Sequence, residues 1–502
     1  MKKLLCATYE GVDAKLVHVE STLTKGLPSF SIVGMASASI TEAKERVKSA
    51  LLSNNFTFPP KRITINLAPS DLKKEGSHFD LGMALLILLN DKEVDLKEWG
   101  VFGELGLDGS VKSNSVLYPL LLSLANQQAI TKALVPKDAL QQLSNIPNIE
   151  FYGVSHLNEA FEFLNGTTKL QPLKQKQFTH KYLTYNKQNF YYQEEYKEDF
   201  LDVLGQEVAK KAALIAAAGF HNIVLEGSPG CGKSMIAKRL HYILPPLSQQ
   251  EILEVAKLEA LDTKEVSFKP LRAFRAPHHS STQASIFGGG SHKAQIGEVG
   301  LANGGILFFD ELPHFSKNVL EALREPMQDK KIRISRVNVK VQYDANFLFV
   351  GAMNPCPCGN LLDETKECRC SDVEIARYKN RLSEPFLDRI ELYVVMQQVQ
   401  PNDKPSLSSK DMHTMVRDAF LFAKQRGQNV FNAHLDDTQI EQFCFLTNEA
   451  NEVLELAARR FGLSFRVIKN IKKVARTIAD LAKSKEIDKI HILEALSYRR
   501  RD

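Results

Sequence analysis

The sequence lacks the features that mark membrane and secreted proteins. Its longest apolar run, Leu81 to Leu89, is far shorter than the about 20 residues that a helix needs to cross a bilayer. The apolar stretch after Met1 ends by Glu10, too early for a signal peptide. Only seven cysteines occur in 502 residues, so no disulfide framework is indicated. We therefore expect a cytoplasmic protein with no membrane partner.

Strong charge of one sign is also missing, because the net charge is only +5. That charge permits nucleic-acid binding without requiring it. What is present is ordinary globular composition, with 44% hydrophobic and 25% charged residues, in a chain too long for one hydrophobic core. Apolar periodicity predicts an α/β multidomain protein. Its predicted parts are an α+β domain at 1–165, a linker at 166–198, an α/β core at 199–400 and a helical lid at 401–502.

A glycine-rich loop organises the predicted core. It follows the aliphatic run 223–225, precedes a helix-forming segment, and has the Gly-x-x-x-x-Gly-Lys-Ser spacing of a phosphate-binding P-loop. Glycine lets backbone N–H groups approach a phosphate closely. We expect Lys233 to reach the β- and γ-phosphates of ATP and Ser234 to hold Mg²⁺. The predicted cofactor-binding residues of the loop are Gly227, Ser228, Pro229, Gly230, Cys231, Gly232, Lys233 and Ser234.

Polar residues at the ends of two further strand-like runs predict the rest of this site. The first run ends in Asp310, expected to hold Mg²⁺, and Glu311, expected to polarise the attacking water. The second ends at Asn354, which could orient that water or sense the γ-phosphate. Gln206 precedes a predicted helix where an adenine pocket commonly begins. These residues predict a Mg²⁺-dependent ATP hydrolase.

These landmarks, in this order, resemble the AAA+ ATPases, and longer segments resemble the ComM/YifB family of magnesium-chelatase-like AAA+ proteins. The resemblance implies a homo-hexameric ATPase that promotes branch migration of DNA, as a helicase, in homologous recombination and natural transformation. Recombination proteins are candidate partners. The segments are Arg275-Ala276-Pro277-His278-His279-Ser280, Gly304-Gly305-Ile306-Leu307-Phe308-Phe309-Asp310-Glu311, Ala352-Met353-Asn354-Pro355-Cys356-Pro357-Cys358-Gly359 and Leu387-Asp388-Arg389-Ile390. Within the P-loop, Ser228 and Cys231 replace the usual proline and serine, and Ser234 keeps the hydroxyl of the commoner threonine.

The N-terminal third resembles the Lon-protease domain, which has a ribosomal-S5-like fold. The matching segments are Lys74-Glu75-Gly76-Ser77-His78-Phe79-Asp80-Leu81, Gly103-Glu104-Leu105 and Ala133-Leu134-Val135-Pro136-Lys137. His78 matches the nucleophilic serine of Lon, and Tyr118 matches its lysine, so the pair supplies no hydroxyl nucleophile with an amine base. Ser77 lies one residue out of register. We therefore expect a structural or docking role rather than proteolysis.

Two segments of the core carry basic insertions. Residues 280–300 are glycine-rich, and residues 329–341 alternate basic or polar with aliphatic side chains, which predicts a β-hairpin reversing near Val337 and Asn338. Similar insertions in related AAA+ motors point into the ring's pore, which implies sequence-independent contacts with branched or single-stranded DNA. A solvated edge hairpin is the alternative. The candidate DNA contacts are Lys293, Lys330, Lys331, Arg333, Arg336 and Lys340.

Three arginines are candidates for stabilising the charge that develops on the phosphates during hydrolysis. Arg389 is the first candidate for an arginine finger that reaches into a neighbouring subunit, and Arg381 is the second. Either could instead form an ion pair inside its own subunit. Residues 463–466 resemble the segment that carries the sensor-2 arginine, which implies that Arg466 lies over the γ-phosphate of its own subunit.

Four of the cysteines predict a metal site. Cys356 and Cys358 form one Cys-x-Cys pair, and Cys368 and Cys370 form another. Four thiolates fill the tetrahedral shell of Zn²⁺ and leave no open position, so the expected zinc is structural. The spacing is tighter than usual, and four reduced thiols are the alternative. His278-His279 has no flanking acids or thiols, and a local structural role is expected.

Together these patterns predict an ATP-driven hexameric DNA motor with ATP, Mg²⁺ and structural Zn²⁺ as cofactors. One alternative is the ATPase subunit of a magnesium-chelatase-like complex that inserts metal into a porphyrin. A Lon-like front domain and a four-cysteine cluster fit the DNA motor better, since a chelatase motor needs neither. The second alternative is a Lon-like ATP-dependent protease that acts through Ser77.

Overall fold

A computed structural model of the chain describes residues 2–11, 13–176, 178–262, 266–289, 295–335, 340–363, 365–400 and 402–500. The chain divides into two compact units. The first contains Met1–Thr179 and Ala256–Phe268, and the second contains His180–Val255 and Lys269–Asp502. None of the helices in these described ranges is both long enough and apolar enough to cross a membrane.

The first unit is a mixed α/β structure. Its strands are β1 (Lys2–Glu10), β2 (Asp13–Thr24), β3 (Ser29–Val33), β4 (Arg62–Ala68), β5 (Trp99–Val101), β6 (Glu104–Leu105), β7 (Val111–Lys112), β8 (Lys132–Pro136) and β9 (Glu150–Val154). Its helices are α1 (Ala38–Ser53), α2 (Asp80–Leu88), α3 (Leu117–Asn126), α4 (Leu140–Leu143) and α5 (Leu157–Leu164). Seven strands form one sheet in the order β3-β4-β2-β1-β5-β8-β9. The pairs β1–β2 and β2–β4 are antiparallel and the other four are parallel.

The longest apolar run of the sequence forms α2, and Asp80 through Ile87 are all buried. A helix that is apolar on every side needs cover on every side, which explains its place in a core. Asp80 opens this helix and is itself buried. The guanidinium of Arg46 donates to its carboxylate over 2.7 Å, which satisfies the buried charge.

The second unit is built on a five-stranded parallel sheet. Its strands are β10 (Lys181–Tyr185), β11 (Gln188–Tyr192), β12 (Ile223–Gly227), β13 (Leu247–Ser248), β14 (Phe274–Arg275), β15 (Gly288–Gly289), β16 (Gln295–Ile296), β17 (Ile306–Phe309), β18 (Lys331–Ser335), β19 (Lys340–Asp344), β20 (Leu348–Met353) and β21 (Leu392–Met396). The order in the parallel sheet is β14-β17-β20-β12-β21. Strands β12, β17 and β20 are buried along their whole length, which agrees with their uninterrupted aliphatic and aromatic sequences.

Part of the predicted linker is instead a β-hairpin of the second unit. Strands β10 and β11 pair antiparallel, and β11 also pairs with β13. Asn186 and Lys187 both have positive φ, as a tight two-residue turn requires. Phe190 and Tyr191 are buried. The aromatic residues that interrupted the apolar periodicity therefore supply the hairpin's packing.

Helices cover both faces of this sheet, and the last five form a C-terminal bundle. The helices from residue 207 onward are α6 (Glu207–Gly219), α7 (Lys233–Leu240), α8 (Gln249–Asp262), α9 (Gln283–Phe287), α10 (Glu298–Leu301), α11 (Lys317–Ala322), α12 (Arg324–Asp329), α13 (Asp372–Lys379), α14 (Glu384–Leu387), α15 (Ser409–Gln425), α16 (Asp437–Phe443), α17 (Asn448–Phe461), α18 (Phe465–Leu481) and α19 (Lys489–Ser497). The residues of α8 from Ala256 onward belong to the first unit. Buried residues of α15–α19 belong to the same hydrophobic core as residues of β12, β21 and α6. The predicted helical C-terminal region is thus packed directly against the P-loop sheet.

Candidate nucleotide site, arginine cluster and metal centre

The P-loop occupies the turn between β12 and α7. Gly230 and Gly232 both have positive φ, which a side chain would strain, and the space where a Cβ of Gly230 would project is open. The Lys233 ammonium donates to the carbonyl oxygens of Gly227 and Ser228 over 2.6 and 3.0 Å. Burial lowers the pKa of Lys233, and the nearby Cys231 and Asp310 oppose that shift.

The two predicted Mg²⁺ ligands meet beside this loop. The Ser234 hydroxyl donates to Oδ2 of Asp310 over 2.8 Å. Glu311 has φ of 51°, and its backbone N–H donates to Oδ1 of Asp310 over 3.0 Å. A hydroxyl and a carboxylate are the oxygen ligands that Mg²⁺ prefers, so these residues fit that ion.

Parallel pairing brings Asn354 to the same place. Glu226 pairs with Met353 in the sheet, so the residues that follow β12 and β20 lie side by side. Oδ1 of Asn354 accepts a hydrogen bond from Lys233 over 3.2 Å. Strand β12 has β20 on one side and β21 on the other, which is the switch in strand order where α/β sheets bind ligands.

Gln206 is at this edge too, just before α6. Its side-chain amide donates to the carbonyl oxygen of Gln397 over 2.5 Å. Gln397 directly follows Met396, which pairs with Gly227 at the start of the P-loop. Gln206, which was predicted to lie near the adenine, is therefore close to the P-loop.

His279 contacts Glu311, although the sequence indicated only a local structural role. Its Nδ1 lies 3.3 Å from Oε2 of Glu311, and its ring centroid lies 4.1 Å from that of His278. The available signal was position, because the histidines follow β14, the strand that pairs with the Asp310-bearing strand β17. Parallel strands end at one edge of a sheet, so His279 could be expected near Glu311.

Arg389 and Arg466 share one acceptor. Each donates to Oε1 of Gln328, over 2.6 and 2.9 Å respectively. Arg389 also donates to the carbonyl oxygen of Arg324 over 3.1 Å. Burial lowers the pKa of Arg389, and the charges of Arg466 and Arg324 add to that shift. We call Arg324, Arg389 and Arg466 the arginine cluster.

The position of Arg466 over its own γ-phosphate stays a prediction, and the contact that the structure gives this residue is with Gln328. Helix α18 begins at Phe465, and its start lies beside Gln328 at the end of α12, which places Arg466 with Arg389. Arg381 donates instead to the carbonyl oxygen of Pro313, two residues after Glu311. Within the described part of the chain, no carboxylate lies within 4.0 Å of the guanidinium of Arg381, Arg389 or Arg466, so the ion-pair alternative is not what the structure shows.

The basic insertion forms the predicted antiparallel pair. Strands β18 and β19 pair from Lys331 with Asp344 to Ser335 with Lys340. Lys331 and Arg333 are exposed, and Arg333 donates to Oε1 of Gln342 over 3.3 Å. Lys293 and Arg336, two predicted DNA contacts, lie outside the described residues.

Lys330 is less exposed than Lys331 and Arg333. It ends α12 with φ of 56°. Burial lowers the pKa of its ammonium, and the nearby Glu391 opposes that shift while Lys473 adds to it. Lys330 is thus partly buried at the end of α12, which the alternating sequence pattern could not reveal.

The four clustered cysteines converge to one point. The Sγ atoms of Cys356, Cys358 and Cys368 lie 3.4, 3.7 and 3.6 Å apart, and all four sulfurs lie within 4.8 Å of one another. Zinc–sulfur bonds of about 2.3 Å in a regular tetrahedron place the sulfurs about 3.8 Å apart. The observed separations therefore fit one tetrahedral Zn²⁺ bound by Cys356, Cys358, Cys368 and Cys370.

Comparison with known proteins gives matches along most of the chain. Residues 199–404 match the family model described as magnesium chelatase, subunit ChlI, and residues 406–499 match its C-terminal model. Residues 19–139 match a further model, subunit ChlI of Mg-chelatase. The 67 kDa magnesium-chelatase subunit of Heliobacterium mobile is 26% identical over 183 residues, which cover 30% of this chain and 27% of that protein.

Full-length similarity is to a different group of proteins. The chain is 38% identical to the competence protein ComM of Haemophilus influenzae over 498 residues, 97% of this chain and 95% of that protein. It is 37% identical to the uncharacterized protein YifB of Escherichia coli over 504 residues, again 97% of this chain and 95% of that protein. The chain belongs to the ComM/YifB family of magnesium-chelatase-like AAA+ ATPases.

Proposed function

We propose that the protein is a hexameric DNA motor that hydrolyses ATP between neighbouring subunits and promotes branch migration. One observation carries the proposal. Each chain has a nucleotide half-site made by Lys233, Ser234, Asp310 and Asn354. It also has a separate arginine cluster, in which the guanidinium groups of Arg389 and Arg466 are held by neutral oxygen acceptors. Such cations remain available to a phosphate of a neighbouring copy, and head-to-tail contacts of this kind close into rings.

In this mechanism, the backbone N–H groups of the P-loop and Lys233 hold the β- and γ-phosphates. Ser234 and Asp310 would hold Mg²⁺, which would supply positive charge to the nucleotide's phosphates. Glu311 accepts a proton from the attacking water, and Asn354 fixes the water's position. The neighbour's Arg389 and Arg466 stabilise the charge that develops as the phosphate bond breaks, because arginine stays charged and offers several donors.

The hairpin β18–β19 is the proposed DNA contact. Lys331 and Arg333 are exposed on it, and cations contact phosphates without reading bases. The relative ComM is named a competence protein, and 97% of this chain aligns with it. Both observations favour a DNA substrate in recombination during natural transformation.

The two alternative functions receive less support. The matching chelatase subunit aligns with only 30% of the chain, whereas ComM aligns with 97%. For proteolysis, the Ser77 hydroxyl donates to the carboxylate of Glu104. His78 is buried with Nε2 2.8 Å from the carbonyl oxygen of Ala7, and burial lowers its pKa to about 4. We therefore propose a Lon-like front domain with a structural or docking role.

ATP hydrolysis in the presence of defined DNA tests the proposed function. The purified chain is assayed with forked, single-stranded and blunt duplex DNA, and separately with a mobile four-way junction. Stimulation by forked or single-stranded DNA and ATP-dependent junction movement are expected, with Lys233→Ala as the inactive control. No DNA stimulation, together with binding of a porphyrin-complex subunit, supports the chelatase alternative. Casein degradation that Ser77→Ala abolishes supports the protease alternative.

A further inference from the structure

The cysteine-bearing loop touches the P-loop at two points. At its start, Asn354 accepts a hydrogen bond from Lys233 over 3.2 Å. At the end of the first cysteine pair, Gly359 has φ of 81° and packs against Pro229. A Cβ on Gly359 would lie 2.7 and 2.8 Å from the Cδ and Cγ atoms of the Pro229 ring, closer than real Cβ contacts. Only glycine allows this approach.

Cys356 and Cys358, the first pair of candidate metal ligands, lie between Asn354 and Gly359 in the sequence. Cys356 is fully buried, and its carbonyl oxygen accepts a hydrogen bond from the Gly359 N–H over 3.0 Å. This hydrogen bond closes a turn that includes Cys358. The position of Gly359 against Pro229 therefore depends on where the sulfurs of Cys356 and Cys358 are held.

The second cysteine pair ties this turn to helix α13. The sequence after Cys370 continues to Ser371, which caps that helix by accepting from the N–H of Glu374. Farther along α13, Tyr378 is buried. Residues 360–371 contain no helix or strand among those described. The carboxylate of Asp363 accepts hydrogen bonds from Thr365 and Lys366, which are contacts within the loop itself.

We propose that the four-cysteine centre braces the P-loop: a metal held by these sulfurs presses Gly359 against Pro229 and thereby sets the affinity for nucleotide. A metal bonded to all four sulfurs joins the two cysteine pairs, whereas four neutral thiols have no such bond between them. Without the cation the two pairs separate, the turn moves, and the P-loop loses a contact beside its phosphate-binding amides. This inference rests on the proposed nucleotide site and on the proposed zinc.

Two glycine substitutions distinguish the effect of the Gly359–Pro229 contact from the effect of backbone strain alone. Gly359→Ala introduces the clash with Pro229, whereas Gly427→Ala introduces the same backbone strain, at φ of 82°, with nothing within 4 Å. The dissociation constant of a fluorescent ATP analogue is measured by titration, and zinc content by mass spectrometry. We expect Gly359→Ala to weaken binding about tenfold with zinc retained, and Gly427→Ala to leave it unchanged. Equal affinities in the two variants overturn the brace.

Metal removal is the second arm of the test. Zinc is removed from the wild-type protein by prolonged dialysis against a strong chelator with a reducing agent, which leaves the P-loop unmodified. Nucleotide affinity should fall about tenfold and recover after thiol and Zn²⁺ are added back, while circular dichroism stays unchanged. Unchanged affinity of the metal-free protein, or a nucleotide-binding wild-type protein that contains no zinc, overturns the brace. A wild-type protein that binds no ATP contradicts the proposed function itself.

Discussion

Lys233 and Glu311 both lie at the predicted nucleotide site but contact different groups. Nucleotide binding and hydrolysis should therefore depend on different residues. Lys233 is buried and makes three hydrogen bonds to oxygen atoms of the P-loop and Asn354. Glu311 is exposed, and its carboxylate contacts His279 rather than the loop. Substitution of the first should therefore affect nucleotide binding, and substitution of the second should affect turnover.

Glu311→Gln is expected to bind ATP with wild-type affinity and to hydrolyse it at least about a hundredfold more slowly. The amide keeps the shape of the side chain but cannot accept a proton from water. Equilibrium titration with an ATP analogue and steady-state phosphate release measure the two properties. Normal hydrolysis by this variant contradicts the assignment of Glu311 as general base.

His279→Ala is expected to lower the hydrolysis rate about tenfold without changing nucleotide affinity, because Glu311 loses the partner that orients it. His279→Asn keeps a polar group and should restore part of the rate. The matched control is His278→Ala, since His278 bonds Ser280 over 2.7 Å rather than the catalytic carboxylate. Equal rates for His279→Ala and His278→Ala contradict a positioning role for His279.

At the scale of elements, the β18–β19 hairpin and the α15–α19 bundle have separate tasks. The hairpin exposes Lys331 and Arg333 on β18, and Ile332 and Tyr343 on its strands are buried. The bundle shares its core with the P-loop sheet. Changes in the hairpin should therefore alter DNA binding, whereas changes in the bundle's buried polar groups should alter stability.

Lys331→Glu combined with Arg333→Glu is expected to weaken DNA binding and to reduce the slope of log affinity against log salt by about one unit per lost phosphate contact. Fluorescence anisotropy with single-stranded DNA at several salt concentrations measures both effects. Lys97→Glu combined with Lys112→Glu, which reverses two exposed cations in the first unit, is the matched control. Identical slopes for the two double variants would place the DNA contact elsewhere.

Asp480→Ala is expected to destabilise the second unit by about 3–5 kcal/mol, because it leaves buried cations without their counter-charge. Asp480 is 2% exposed and accepts from Arg426 over 2.6 Å and from Arg476 over 3.1 Å. Urea denaturation followed by circular dichroism measures the loss. Asp437→Ala removes an exposed ion pair with Lys469 and should have little effect.

For the whole molecule, the proposed ring requires that one subunit completes the site of the next. Lys233→Ala retains the arginine cluster without nucleotide binding, and Arg389→Ala retains nucleotide binding without the finger. A mixture in equal amounts should recover about a quarter of wild-type ATPase activity, because that fraction of random neighbours combines both intact halves. No recovery in mixed rings indicates that Arg389 acts within its own subunit.

The sequence determined the local chemistry and the family. The P-loop is contiguous, so its glycines, Lys233 and Ser234 are recognisable without any tertiary contact, and the same holds for the acids that end an apolar strand. Four cysteines within fifteen residues of chain predicted one cluster, since a short loop can bring them together. The antiparallel pair at 331–344 followed from alternating residue types.

Only the tertiary structure decided which distant residues meet. His279 contacts Glu311, Arg466 joins Arg389 at Gln328, and Gly359 packs on Pro229, each across a separation that no local pattern encodes. The partial burial of Lys330 and the strand pairing at 181–192 were likewise not predictable from sequence, because burial depends on which surface an element packs against. Spacing along the chain determines which motifs nearby residues can form. Contacts between residues that are distant in sequence depend instead on how the whole unit packs.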